Sequence, residues 1–105
     1  MHRGEIYRFR IHKGIGHEQA GPRYGVVVQS DAMLPRSTVL VAPTSLSAPA
    51  ASFRPEVAVT GQKSKVLVEQ VTAVDVSRLG KLVGRLAPDE MWDVDDALRT
   101  VLSLH

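Results

Sequence analysis

The apolar residues of this chain come in short β-branched runs separated by turn residues, and their period changes only once, after Pro88. Between Glu5 and Ile11, strict alternation sets Tyr7, Phe9 and Ile11 on one side of a strand and Ile6, Arg8 and Arg10 on the other. Further strands are predicted over Arg23–Gln29, around Val26-Val27-Val28, and over Thr38–Pro43, closed by Pro43. Others follow over Glu56–Val59, over Lys65–Val74 with Glu69 and Gln70 polar at its centre, and over Lys81–Leu86. Gly14–Pro22 reads as a loop, Thr44–Ser52 as a mobile Ser/Ala/Pro-rich segment, and the stretch from Thr60-Gly61 as a hairpin turn.

From Pro88 onward Met91, Val94, Leu98, Val101 and Leu102 share one face at helical spacing. Pro88 suits the first helical position, and Asp89 and Glu90 suit the positive end of the helix dipole. Five or six short strands followed by one C-terminal helix predict a mainly β chain folded as a small barrel. At 105 residues and with 44% apolar residues, one domain spanning 1–105 can bury a core without covalent staples.

Charge is unevenly spread. Residues 1–88 carry twelve Lys/Arg against six Asp/Glu, and residues 89–105 carry Arg99 against five acidic side chains. The basic body points to a polyanionic partner, since neutralising phosphates releases counterions. The chain has no cysteine, so a disulfide framework, a thiolate zinc site and a cysteine nucleophile are excluded. His2, His12, His17 and His105 are scattered, and His17-Glu18 meets Gly21 where a zinc protease needs its second histidine; no metal site is expected. Gly14-Ile15-Gly16 leads to Gln19, not to the last glycine of a phosphate-cradling loop. No run approaches the roughly 18–20 apolar residues of a membrane span, and the charged start leads into no apolar signal segment, so a cytoplasmic protein is expected.

Several blocks, in order, resemble the MazF/PemK (Kid) family of bacterial toxins. They are Arg3-Gly4-Glu5-Ile6-Tyr7; the run from Gly16-His17-Glu18-Gln19 through Arg23-Tyr24-Gly25 to Ser30-Asp31; Val41-Ala42-Pro43-Thr44-Ser45; Val68-Glu69-Gln70-Val71-Thr72-Ala73-Val74-Asp75; and Gly84-Arg85-Leu86. Two departures stand out: Tyr24-Gly25 where the family has Pro after the arginine, and His17 where Ser often precedes Glu-Gln. The resemblance implies a homodimeric SH3-like barrel. It implies a cofactor-free, metal-independent endoribonuclease that cuts single-stranded RNA at short motifs and is inhibited by a cognate MazE-like antitoxin. By position, Arg23 and Thr44 match the family's catalytic pair, and Glu18, Gln19, Glu69 and Gln70 match positions near the RNA groove.

The chemistry is coherent on its own terms. RNA brings its own nucleophile, the 2′-OH beside each phosphate. Arg23 can offer a planar fork of donors to phosphate oxygens and Thr44 a hydroxyl donor. An arginine is too basic to serve as a free general base at neutral pH, so Arg23 is assigned to charge stabilisation. His17, whose ordinary pKa suits proton transfer, and Glu18 are the two candidates for the general base. Two other readings are a same-fold poison of DNA gyrase, resembling the CcdB toxins, and a barrel that binds RNA or protein without cutting. CcdB toxins act through a tryptophan-bearing C-terminal end, whereas this chain ends Leu102-Ser103-Leu104-His105.

Overall fold

A computed structural model describes residues 1–10 and 23–104. Seven strands, β1 (Glu5–Phe9), β2 (Tyr24–Val27), β3 (Thr38–Ser45), β4 (Glu56–Val59), β5 (Gln62–Val66), β6 (Thr72–Asp75) and β7 (Leu79–Arg85), precede one helix, α1 (Pro88–Leu102). All pairings are antiparallel, in the order β4-β5-β3-β2-β1-β7, with β6 also on β3. The mainly β architecture with a C-terminal helix is therefore as expected, a curled sheet forming a half-barrel with α1 packed against its core.

The curl comes from β3, which changes partner along its length. Residues 38–41 pair with β6 and residues 44–45 with β5, while residues 41–43 pair with β2 on the opposite edge. The change of partner falls at Pro43, so the strand runs on to Ser45 instead of closing at the proline. The N and C=O of one residue leave a strand on the same side, and the Pro43 carbonyl accepts from Leu67 N at 2.8 Å. The missing proline N–H thus points to the edge where β6 gives way to β5, and no ladder bond is lost.

Two apolar layers follow from the alternation. Ile6, Val26, Ala42, Val57, Val59, Val66 and Val68 pack with Val94 and Ala97 of α1, while Val27, Val39, Val41 and Leu79 pack with Tyr7 and Phe9 on the other face of the sheet. Gly25 belongs here for a steric reason. A Cβ on it would stand 2.8 Å from the Phe9 ring, so the sheet closes over a residue with no side chain.

The β4–β5 hairpin turns on Thr60 and Gly61 alone, both at positive φ (50° and 83°), and Gln62 to Ser64 belong to the strand. This is the backbone of a two-residue type I′ turn, which favours Asn-Gly. A β-branched residue is strained there, and Thr60→Asn is expected to stabilise the fold by roughly 1 kcal/mol in denaturant melts.

Pro88 starts α1 as expected. Glu90 does more than face the dipole. One carboxylate oxygen accepts from Ala87 N and the other from Ala58 N, both at 2.8 Å, tying the helix to the edge strand β4. Of the predicted apolar face, Val94 is fully buried, Met91, Leu98 and Val101 are partly buried, and Leu102 is half-exposed. Leu102 lies roughly 80° round the helix from Val94, at the margin of the stripe. Ala97, small enough to be passed over in the apolar pattern, is buried in its place.

Glu5 is buried in the first strand. Its Oε1 accepts from His2 N (2.7 Å) and from the Tyr7 hydroxyl (2.9 Å), and Oε2 faces Arg85 Nη2 at 3.2 Å. Burial, then the bond donated to Glu5, pushes the Tyr7 pKa up to about 12. A phenol whose pKa is raised on folding contributes stability that is complete below its unfolded pKa of about 10 and is lost as pH climbs toward the folded value. Phenolate absorbance is therefore expected to show one tyrosine titrating near 12, a component that Tyr7→Phe removes.

Candidate functional site

Of the residues singled out from the sequence, Arg23 and Thr44 fall where β2 begins and β3 ends. Arg23 precedes β2, its carbonyl held by Phe9 N at 2.8 Å while its side chain is exposed. Thr44 lies on the adjacent strand, in register with Val66 of β5 on its other side. Its side chain is enclosed, the residue being 8% exposed, and its hydroxyl donates to Tyr24 O in a long 3.5 Å contact. Arg23, just before β2, and Thr44, on the neighbouring strand β3, thus lie at one end of the sheet, an exposed cation and a largely enclosed hydroxyl.

Glu69 and Gln70 are not at the centre of a strand. The chain from Lys65 to Val74 breaks into β5, a 3-10 turn over Val68–Gln70, and β6. The break follows from the split of partners along β3: the segment must leave β3 after Val66 and return to it at Thr72, and the turn makes that step. Gln70 is exposed, with its backbone N–H on Leu67 O. Glu69 is committed to a partner that sequence reasoning missed. Arg54 donates to Glu69 Oε2 from both Nε (3.0 Å) and Nη2 (2.6 Å), and from Nη1 to Pro49 O (3.1 Å). The Arg54 guanidinium holds the Glu69 carboxyl below the usual carboxylate range. A depressed carboxylate contributes stability that is present above its unfolded pKa and lost as pH falls through the folded value. The signal for Arg54 was weak, a single arginine between Phe53 and Pro55, just beyond the Thr44–Ser52 segment and before the next predicted strand.

His17, Glu18 and Gln19 lie outside the described residues. Among the described residues no group of three His, Cys, Asp or Glu side chains gathers as metal ligands, and no helix is long and apolar enough to cross a membrane. A separate cleft lined by Ser52, Pro55, Asp93, Asp96, Ala97 and Thr100 contains none of the predicted residues. Two of its lining residues, Asp93 and Asp96, carry carboxylates, which do not suit a polyanion.

Comparison with known proteins identifies the family and the fold. Residues 2–102 match the family model described as the PemK-like, MazF-like toxin of type II toxin–antitoxin systems. A Mycobacterium tuberculosis protein named as a toxin is 41% identical over 104 residues, covering 97% of both chains. Among solved structures, an endoribonuclease from a mycobacterial species in complex with its cognate antitoxin superposes with a TM-score of 0.82 at 19% identity, over 100% of this chain and 97% of that one. The M. tuberculosis toxin MazF-mt6 gives 0.76 at 18% identity over 96% and 98% of the two chains. MazF in the MazE–MazF structure from Deinococcus radiodurans gives 0.78 at 19% identity over 100% and 97%. At these identities the superpositions speak for a shared fold.

Proposed function

The chain belongs to the PemK-like, MazF-like toxins of type II toxin–antitoxin systems, and from that premise we propose that it is a metal-independent endoribonuclease acting on single-stranded RNA. The observation that supports the proposal is the placement, within a toxin-family chain, of Arg23 just before β2 and Thr44 on the neighbouring strand β3. In-line attack by the RNA 2′-OH on its own phosphate builds negative charge on the equatorial oxygens. A guanidinium fork and a hydroxyl donor meet that charge, and donors fixed in advance act most strongly as it develops. The general base is His17 or Glu18, and Gln19 and Gln70 are assigned to RNA binding. Such a toxin works as a cytoplasmic homodimer, a single domain over residues 1–105, and is silenced by an antitoxin segment, acidic and apolar, lying on the basic body.

The test is incubation of the purified protein with single-stranded RNA in EDTA. The expected products are discrete fragments carrying a 5′-OH and a 2′,3′-cyclic phosphate or its hydrolysed form. A substrate with deoxyribose only at the cleaved nucleotide is expected to bind and resist. Cutting of that substrate, or loss of activity on chelation, overturns the mechanism. Absence of fragments with intact RNA favours a barrel that binds without cutting.

A further inference from the structure

The segment joining Thr44 to β4 is closed into a ring. It opens with a turn in which Ser45 Oγ accepts from Ser47 N (3.2 Å) and Ala48 N (3.0 Å). It ends at Pro55, whose carbonyl accepts from Val66 N (2.9 Å), and Val66 is the register partner of Thr44. Across the ring, Leu67 N donates to Pro43 O. One side-chain pair spans the remaining gap: Arg54 binds Pro49 O within the segment and Glu69 on the 3-10 turn, and its guanidinium carbon lies 5.7 Å from the centre of the Phe53 ring. Both charged side chains are largely enclosed, Arg54 at 20% and Glu69 at 26% exposure.

Thr44 stands at the start of this ring, paired with Val66 in the ladder and with its side chain largely enclosed. Among the described residues its hydroxyl makes one hydrogen bond, 3.5 Å long and at the limit of a useful contact. The backbone frame therefore decides where the hydroxyl stands, and Arg54 and Glu69 close that frame. We propose that Arg54, acting through Glu69, is a positioning residue for Thr44: the two-bonded ion pair holds the Ser45–Pro55 segment against the 68–70 turn and so fixes the Thr44 hydroxyl relative to Arg23. The consequence for catalysis rests on the endoribonuclease reading; the structural coupling does not. Glu69 then serves RNA cleavage without touching RNA, in contrast to the groove position that the family resemblance implies. A paired arginine is needed here because only a planar fork binds one carboxylate oxygen through two nitrogens while a third donor reaches a backbone carbonyl.

The experiment compares the full-length protein with Arg54→Gln, Glu69→Gln, both together, and the charge exchange Arg54→Glu with Glu69→Arg. Circular dichroism serves as the folding control. Three quantities are read: single-turnover cleavage, affinity for an uncleavable RNA carrying deoxyribose at the scissile nucleotide, and amide hydrogen exchange across residues 44–55. Each single variant is expected to lose about tenfold or more in cleavage rate, since small misplacements of a reacting group are costly. Affinity stays within about threefold, the double variant loses no more than the worse single one, and the charge exchange recovers part of the rate. Exchange over 44–55 accelerates while β2 stays protected. Affinity falling in step with rate in Glu69→Gln makes Glu69 an RNA contact and overturns the proposal. Unchanged exchange in both single variants overturns it as well. If the unmodified protein cuts no RNA, the endoribonuclease reading fails by itself, and the exchange measurement still decides whether the pair holds Thr44.

Discussion

Arg23→Ala is expected to lower single-turnover RNA cleavage by at least about 10²–10³-fold, the usual cost of losing one preorganised donor to a developing oxyanion. The change leaves the fold intact, because the Arg23 side chain is exposed and the bond that fixes this position is donated by Phe9 N to the Arg23 carbonyl. Arg23→Lys stays poor, since an ammonium cannot reproduce the planar fork. Thr44→Ala loses less than Arg23→Ala, and Thr44→Ser recovers part of the loss because it restores the hydroxyl. Thr44 differs from Arg23 in being enclosed, so its truncation also leaves a small void, and circular dichroism melts are needed to separate stability from rate. A folded Arg23→Ala variant that cleaves at near the wild-type rate removes Arg23 from the site.

Val94→Asp is expected to abolish folding. Val94 is completely enclosed where α1 meets the two-faced sheet, in contact with a cluster that includes Ile6, Val26, Val66 and Val68. An unpaired carboxylate there costs several kcal/mol, a large share of the roughly 5–15 kcal/mol that holds a domain of this size together. Val94→Ala, which only removes methyl groups, is expected to cost about 1–3 kcal/mol and leave a folded protein. Trp92 is the control on the same helix. It is 64% exposed, and Trp92→Ala is expected to shift stability by no more than about 0.5 kcal/mol. The check is a set of denaturant melts on the three variants; a cooperative transition of wild-type midpoint for Val94→Asp contradicts the packing described.

The features legible in the sequence were those that neighbouring residues decide. Alternation of side chains along an extended chain marked β1 and β4, the β-branched run Val26-Val27-Val28 marked β2, the period of 3.6 after Pro88 marked α1, and Thr60-Gly61 marked a turn. Each rests on spacing along the chain and needs no distant partner. Arg23 and Thr44 were singled out for a different reason, because they sit in blocks that resemble a known toxin family. What the sequence could not decide was which distant segments meet. Pro43 looked like a strand end because a proline inside a strand normally removes a ladder bond. Only the change of partner on β3, from β6 to β5, made that bond unnecessary. Glu69 looked like the middle of a strand because its neighbours are apolar and β-branched, yet the same split forced a turn there. Its ion pair with Arg54 joins residues 15 apart, and the bond from Ala58 N to Glu90 joins residues 32 apart. Neither has a local signature, since a charged side chain carries no mark of the partner that tertiary register brings to it. Periodicity determines which face of each element is apolar, whereas pairing between non-adjacent strands determines which polar groups are enclosed together, and the Thr44 ring is a product of the second alone.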